Sequence, residues 1–230
     1  MKKIKTIFVI SILLISYINK SDSQETQFGL MGGLNVSNLS NFPIAYSITT
    51  TSNTGFHIGA LVNVNLGSRF DFQAQVLYSQ LGCTTSQSAP DSIATFTQTD
   101  NMTLSYLLIP LYFNYKFKSG WNIHAGPYLS FLLTDKEALV QTYSAPGYNT
   151  LELDSSTNTT QGDNKFDIGF SIGMGYTMQN GLGFNFSYST GLVNVSQAQT
   201  YTDPNSGQVI YQPAFGLNNW FSFSISYLFK

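Results

Sequence analysis

Two histidines, His57 and His124, and one cysteine, Cys83, are the side chains of this chain best suited to acid–base or nucleophilic chemistry. General-base catalysis needs its partner within hydrogen-bond reach, and neither histidine has an acid and a nucleophile at a spacing that would assemble a relay locally. Cys83 has no Lys or His beside it to lower its pKa, so it reads as an unreactive thiol, and one cysteine allows no intramolecular disulfide. No set of His, Cys, Asp and Glu shows metal-ligand spacing, and no glycine-rich loop leads into a helix to cradle a phosphate. This reading therefore assigns no catalytic, metal or cofactor residues. Four polar residues, Arg69, Asp71, Lys116 and His124, and beyond them Asp167, stand out inside segments that are otherwise apolar or neutral.

Those segments alternate with period two, which is the pattern of a strand with two unlike faces. Apolar residues alternate with Gly, Asn and Ser over 28–37 and 54–66, and with Arg69, Asp71, Gln73 and Gln75 over 69–81. Further stretches are 103–117, 121–133, 166–177, 182–189 and 221–229. Gly67-Ser68, Lys118-Ser119-Gly120 and Gln179-Asn180-Gly181 make tight turns, with Asn-Gly suited to positive φ. The remaining connections, 38–53, 84–102, 135–164 and 197–215, are long and rich in Ser, Thr, Asn, Asp and Gly, so they are expected to be hydrated and mobile. Pro110 falls inside a strand, where it cannot donate to the ladder, and a bulge is expected there.

Eight strands with strictly alternating short and long connections, and no apolar run long enough for a spanning helix after residue 24, describe an all-β, eight-stranded antiparallel up-and-down transmembrane β-barrel. Charged residues are 10% of the chain and aromatics 15%, a poor surface for water. Bulky side chains cannot fill so small a lumen, so the apolar face is assigned to lipid and the Gly, Ser, Asn and Gln face to the interior, the reverse of a soluble ligand carrier. Val76 then points to lipid near mid-membrane and its neighbour Gln75 into the lumen. Phe56, Tyr78, Phe131, Phe166 and Tyr188 would form the outer aromatic girdle, and Phe70, Phe117, Trp121, Tyr176, Tyr227 and Phe229 the periplasmic one. Arg69, Asp71, Lys116 and His124 come together as an inward-facing polar network near the periplasmic end, structural rather than catalytic. His57 and Asp167 fall at the opposite end, where His57 is the one histidine that a rim-type enzyme could use.

Residues 1–23 have the tripartite form of a signal peptide, with Lys2, Lys3 and Lys5 before an apolar run from Thr6 to Ile15 and small residues at Ser21 and Ser23. Residues 24–230 are then the barrel domain, carrying six Lys and Arg against eleven Asp and Glu, a net charge of −5. No basic footprint for nucleic acid exists. Export and a β-span place the mature chain in the outer membrane of a Gram-negative bacterium, against outer-membrane lipid and lipopolysaccharide.

Phe28-Gly29-Leu30 with Gly33-Leu34-Asn35-Val36-Ser37, Gly55-Phe56-His57-Ile58-Gly59, and Leu77-Tyr78-Ser79-Gln80-Leu81-Gly82 carry a family resemblance. So do Tyr106-Leu107-Leu108-Ile109-Pro110-Leu111, His124-Ala125-Gly126-Pro127-Tyr128, Phe166-Asp167-Ile168-Gly169 and Gly191-Leu192-Val193-Asn194. In this order, through every strand but the last, the chain resembles the PorT-like outer-membrane β-barrel proteins of Bacteroidota, often labelled porin family. The resemblance implies fold and location. It leaves activity open, since one member type takes part in type IX secretion and others do different things. The expectation is a non-enzymatic envelope protein with a structural or interaction role and an unnamed partner. The rivals are an accessory subunit of a secretion system, a narrow solute pathway and a barrel enzyme.

Overall fold

Alternating side chains demand a sheet with two unlike faces, and the computed structural model shows that sheet closed on itself. The structure describes residues 26–40, 48–90, 95–144, 150–158, 163–202, 208–212 and 214–229. Residues 1–23, expected to be a signal peptide, lie outside them.

The strands are β1 Thr26–Ser40, β2 Ile48–Asn65, β3 Phe70–Pro90, β4 Thr95–Lys116, β5 Trp121–Ser144, β6 Leu151–Asn158, β7 Phe166–Thr177, β8 Leu182–Ser196, β9 Gln199–Thr202, β10 Val209–Gln212 and β11 Phe215–Leu228. Eight of them form the ring β1-β2-β3-β4-β5-β7-β8-β11, each antiparallel to its neighbours. The first and last strands pair from Gly29↔Leu228 to Ser40↔Leu217, which closes the barrel and leaves no edge within the bilayer. β6 extends the upper edge of β5, and β9 and β10 form a separate hairpin.

The two faces fall as the alternation requires. Phe28, Leu30, Leu34, Ile58, Val76, Phe113, Ile123, Ile172, Phe223 and Ile225 are exposed on the outer wall, while Asn35, Ser79, Ser130, Ser171 and Ser189 are buried within. Aromatics pair into clusters at both rims. The outer set includes Phe56–Tyr78, Phe131–Phe166 and Tyr188–Phe221, and the periplasmic set Phe70–Tyr115, Trp121–Tyr176 and Tyr227–Phe229, with ring centroids 5.0 to 5.7 Å apart. On β5 the girdles stand ten residues apart, Trp121 to Phe131. At about 3.3 Å per residue and a tilt of about 40°, this spans about 25 Å, the height of an outer-membrane hydrocarbon band.

Inward glycines act as sockets for rings. A Cβ on Gly33 would meet the His57 ring, one on Gly173 the His124 ring and one on Gly169 the Tyr128 ring, so these positions admit no larger side chain without displacing a neighbour. Positive φ is needed at the turns, where Gly120 and Gly181 adopt +90° and +91°.

Three expectations are corrected. The long connections 84–102 and 135–164 are largely strand rather than mobile loop. The β3–β4 ladder runs in one register from Phe70↔Tyr115 to Pro90↔Thr95, and β4–β5 pairing continues to Thr95↔Ser144. Pro110 makes no bulge: its partner is Tyr128 and the offset is the same at Phe113↔Ala125. The register shifts lie instead at the outer rim, between Ser52 and His57, Ser105 and Tyr106, and Leu217 and Asn219, where a widened twist releases the strands from the cylinder. Finally, the lumen is not wholly polar. Leu39, Leu81, Cys83, Met102, Leu104, Leu132, Val195 and Trp220 are buried together within a larger apolar cluster.

Candidate functional site

The lumen gathers polar side chains in layers. At the periplasmic mouth a cavity of about 280 Å³ is walled by Asn63, Asp71, Gln73, Asn114, Lys116 and Asn185 among others. The pleat aims alternate residues of β2, β3, β4 and β8 inward here, and their amides replace the water that a carboxylate and an ammonium lose. Lys116 Nζ lies 2.7 Å from Asp71 Oδ1, and Asn63 Nδ2 donates to Asp71 Oδ2 at 3.1 Å. Asn114 Nδ2 donates to Gln73 Oε1 at 3.4 Å, while Asn114 Oδ1 is buried without a partner. Arg69 stands apart from this pair. It is exposed, and its Nη1 donates to the hydroxyl of Tyr115 in the periplasmic girdle at 2.9 Å. His124 is separate as well, packed at a 30° tilt against Tyr112 with ring centroids 4.8 Å apart, one layer higher. The four residues grouped in the sequence therefore divide into one ion pair and two independent side chains. Arg69 leaves the lumen because it precedes the first residue of β3 and its side chain follows the turn.

His57 occupies the next layer. Its Nδ1 is 2.9 Å from Asn35 Oδ1 and its Nε2 is 2.8 Å from Ser224 Oγ. Asn35 Nδ2 donates to the Gln80 carbonyl at 3.0 Å and to Ser79 Oγ at 3.0 Å, which turns Asn35 Oδ1 toward the ring. Nδ1 therefore carries the proton, and Ser224 donates to Nε2. Ser224, His57 and Asn35 form a hydroxyl–imidazole–amide line that resembles a nucleophile with its base and orienting group. The space beside it is about 20 Å³, enough for one water and for no substrate. Asp167 is not part of it. Its Oδ2 accepts from Tyr128 Oη at 3.0 Å and Asn218 Nδ2 at 3.3 Å, and its Oδ1 from the Val193 amide at 3.2 Å. Ser224 and Asn35 escaped the sequence reading because they look like any other small or polar inward residue.

Trp220 packs edge-on against Tyr128 at 5.0 Å, and the apolar cluster it belongs to closes the lumen. A closed ring with an apolar belt, two aromatic girdles and an occluded interior is the architecture of an outer-membrane barrel. The family described as outer membrane protein beta-barrel domain matches residues 19–197. The chain belongs to this family. Among solved structures, this outer-membrane barrel is similar to Neisserial surface protein A at 11% identity, covering 89% of this chain and 99% of that one, with a TM-score of 0.37. It is also similar to Ail, the attachment invasion locus protein of Yersinia pestis, at 9% identity over 89% and 99%, with a TM-score of 0.44. For OprG from Pseudomonas aeruginosa the identity is 10% over 90% and 97%, with a TM-score of 0.35. No curated protein sequence matches the chain. Among the described residues no helix is long and apolar enough to cross a membrane, and no group of three or more His, Cys, Asp or Glu is placed to hold a metal ion.

Proposed function

We propose that this outer-membrane barrel is a closed, non-enzymatic envelope protein that works through the sheet it raises above the outer leaflet. The observation that carries this reading is the contrast between a blocked lumen and a long, ordered extracellular extension. β4 and β5 remain paired for about ten residues beyond their rim bulge, from Ser105↔Thr134 to Thr95↔Ser144, or about 33 Å along the strands. Among the described residues β6 then leaves an open edge, with Leu151 and Leu153 exposed on one face and Glu152 and Asp154 exposed on the other. An unpaired edge outside the cell is a template for a partner strand. The partner is an envelope protein, an accessory role beside a secretion machine being one form of it, and the barrel wall lies against outer-membrane lipid and lipopolysaccharide. The test is chemical crosslinking in native outer membranes, followed by co-purification of the full chain and of a variant in which 86–99 and 138–156 are each replaced by a two-residue turn, which keeps every strand of the ring. A partner that follows the full chain and is lost with the extension supports the reading. Retention of the same partner by the shortened chain would refute it.

The Ser224–His57 contact favours a second reading, a serine hydrolase. Labelling of Ser224 by a fluorophosphonate in the folded protein would support that reading, and the 20 Å³ cavity predicts none.

A further inference from the structure

The sheet forks on β5. Up to Phe131 this strand pairs with β7, and the last backbone bond across that seam runs from the Leu132 amide to the Lys165 carbonyl at 2.9 Å. From Lys136 onward it pairs with β6 instead. Asp135 lies in the gap between the two partners. The rim bulge reverses the alternation there, so that Leu132 and Asp135 both face the mouth, and Asp135 is 1% exposed. Across the gap stands Asp163, which moves with β8: it bridges Ser196, the neighbouring Asn164 amide donates to the Val195 carbonyl at 2.7 Å, and Gln197 Nε2 donates to the Asp163 carbonyl at 2.8 Å.

The Leu132–Lys165 bond, continued in register, sets Asp163 opposite Thr134, so the carboxyls of Asp135 and Asp163 stand beside one another across the gap. Two carboxylates could not hydrogen-bond there, since neither has a hydrogen to donate. Glu137, two residues along β5, and Asp100 of β4 add charge close by. Oδ1 of Asp135 and Oδ1 of Asp100 are buried without a hydrogen-bond partner. No cation offsets this at the flanking positions, because Lys136 and Lys165 are both exposed. Cys83 of β3 faces Asp100 as a neutral thiol, its pKa pushed up to about 11 by burial.

We propose that Asp135 and Asp163 share one proton, and that this shared proton is a latch holding β5 to the β7–β8 side of the mouth across the fork. Loaded, the latch closes the seam above Leu132. When the proton leaves, adjacent negative charges from β4, β5 and the segment before β7 push the fork apart. Burial and the surrounding carboxylates push Asp135 up, to about 8, and burial pushes Asp163 up as well. A raised carboxyl pKa means the closed state binds more protons than the open one, so closure is strongest below the ordinary carboxylate range and weakens as pH rises toward about 8.

The experiment is hydrogen–deuterium exchange on the full-length protein refolded in phospholipid vesicles, with chelator present, from pH 5 to pH 9.5. The rate at the Leu132 amide, whose bond crosses the seam, is corrected for intrinsic exchange, with the Asn164 amide, bonded within the β7–β8 side, as the internal reference. In the wild type, protection falls by up to about tenfold per pH unit, the slope of a single proton, and levels off above about pH 8. Asp135→Asn keeps a donor to Asp163 at every pH, so its profile is flat, and Asp163→Asn likewise removes the slope. Heat-modifiable migration verifies that each variant is folded. A flat wild-type profile, or the same slope in both variants, overturns the latch. So does wild-type protection at pH 6 that appears only with millimolar calcium, which would make the cluster a cation site instead.

Discussion

Placing one ammonium on each face of β3 measures which face meets lipid. Val76 is 53% exposed on the outer wall and pairs with Ala60, four residues below Phe56 of the outer girdle. Four residues at about 3.3 Å and a tilt of about 40° put it about 10 Å below that girdle, close to the middle of a band about 25 Å tall. Val76→Lys therefore costs about 2 to 3 kcal/mol, near the midplane value and reduced slightly by snorkelling toward the headgroups. On the inward face Gln75 and Gln73 meet different surroundings. Gln75 is the adjacent lumen residue, but it is 5% exposed in the closed layer of His57 and His124 and gives an ammonium no counter-charge. Gln73 lines the periplasmic cavity with Asp71, so Gln73→Lys costs below about 1 kcal/mol. The assay is folding free energy into lipid vesicles by urea titration. If Gln73→Lys proves as damaging as Val76→Lys or worse, the faces are assigned backwards.

Lys116→Met leaves Asp71 buried and unpaired, and because the lysine is partly exposed the loss is about 1 to 3 kcal/mol; adding Asp71→Asn restores most of it, which a double-mutant cycle by the same titration reads. His57→Leu strands Asn35 and Ser224 without their shared partner and lowers stability by about 2 to 4 kcal/mol, whereas Ser224→Ala costs about 1 kcal/mol, and equal losses would refute the bridging role. Gly173→Ala drives a Cβ into the His124 ring and slows or blocks folding, measured as the fraction reaching the heat-modifiable form; normal folding would show that the socket is not needed.

Much of the fold was legible because lipid imposes a rule on every strand it touches. The stretch 166–177 is β7 with the same limits, and Asn180-Gly181 makes the turn its positive φ allows. Above the outer girdle water covers both faces, the rule lapses, and strand residues such as Thr97, Thr99, Ser86 and Thr84 carry no apolar alternation to betray them. The bulge at Leu132–Thr134 was hidden for the same reason, and with it the inward turn of Asp135. Runs such as Leu107-Leu108-Ile109 are apolar on both faces, so the sequence shows a strand there without showing that Leu108 packs a plug. The Asp71–Lys116 pair was readable from parity and end position. The His57–Ser224 contact joins residues 167 apart, and no local pattern carries it.

A packed lumen is the claim on which the account stands, and planar-bilayer conductance at pH 6 tests it most directly. With the apolar plug above and a 20 Å³ gap beside His57, the purified full-length barrel produces no stable channels and gives no uptake of sugars in liposome swelling. Stable single-channel steps, or swelling in glucose-sized solutes, would show an open pathway through the barrel and contradict the closed, outward-acting protein described above.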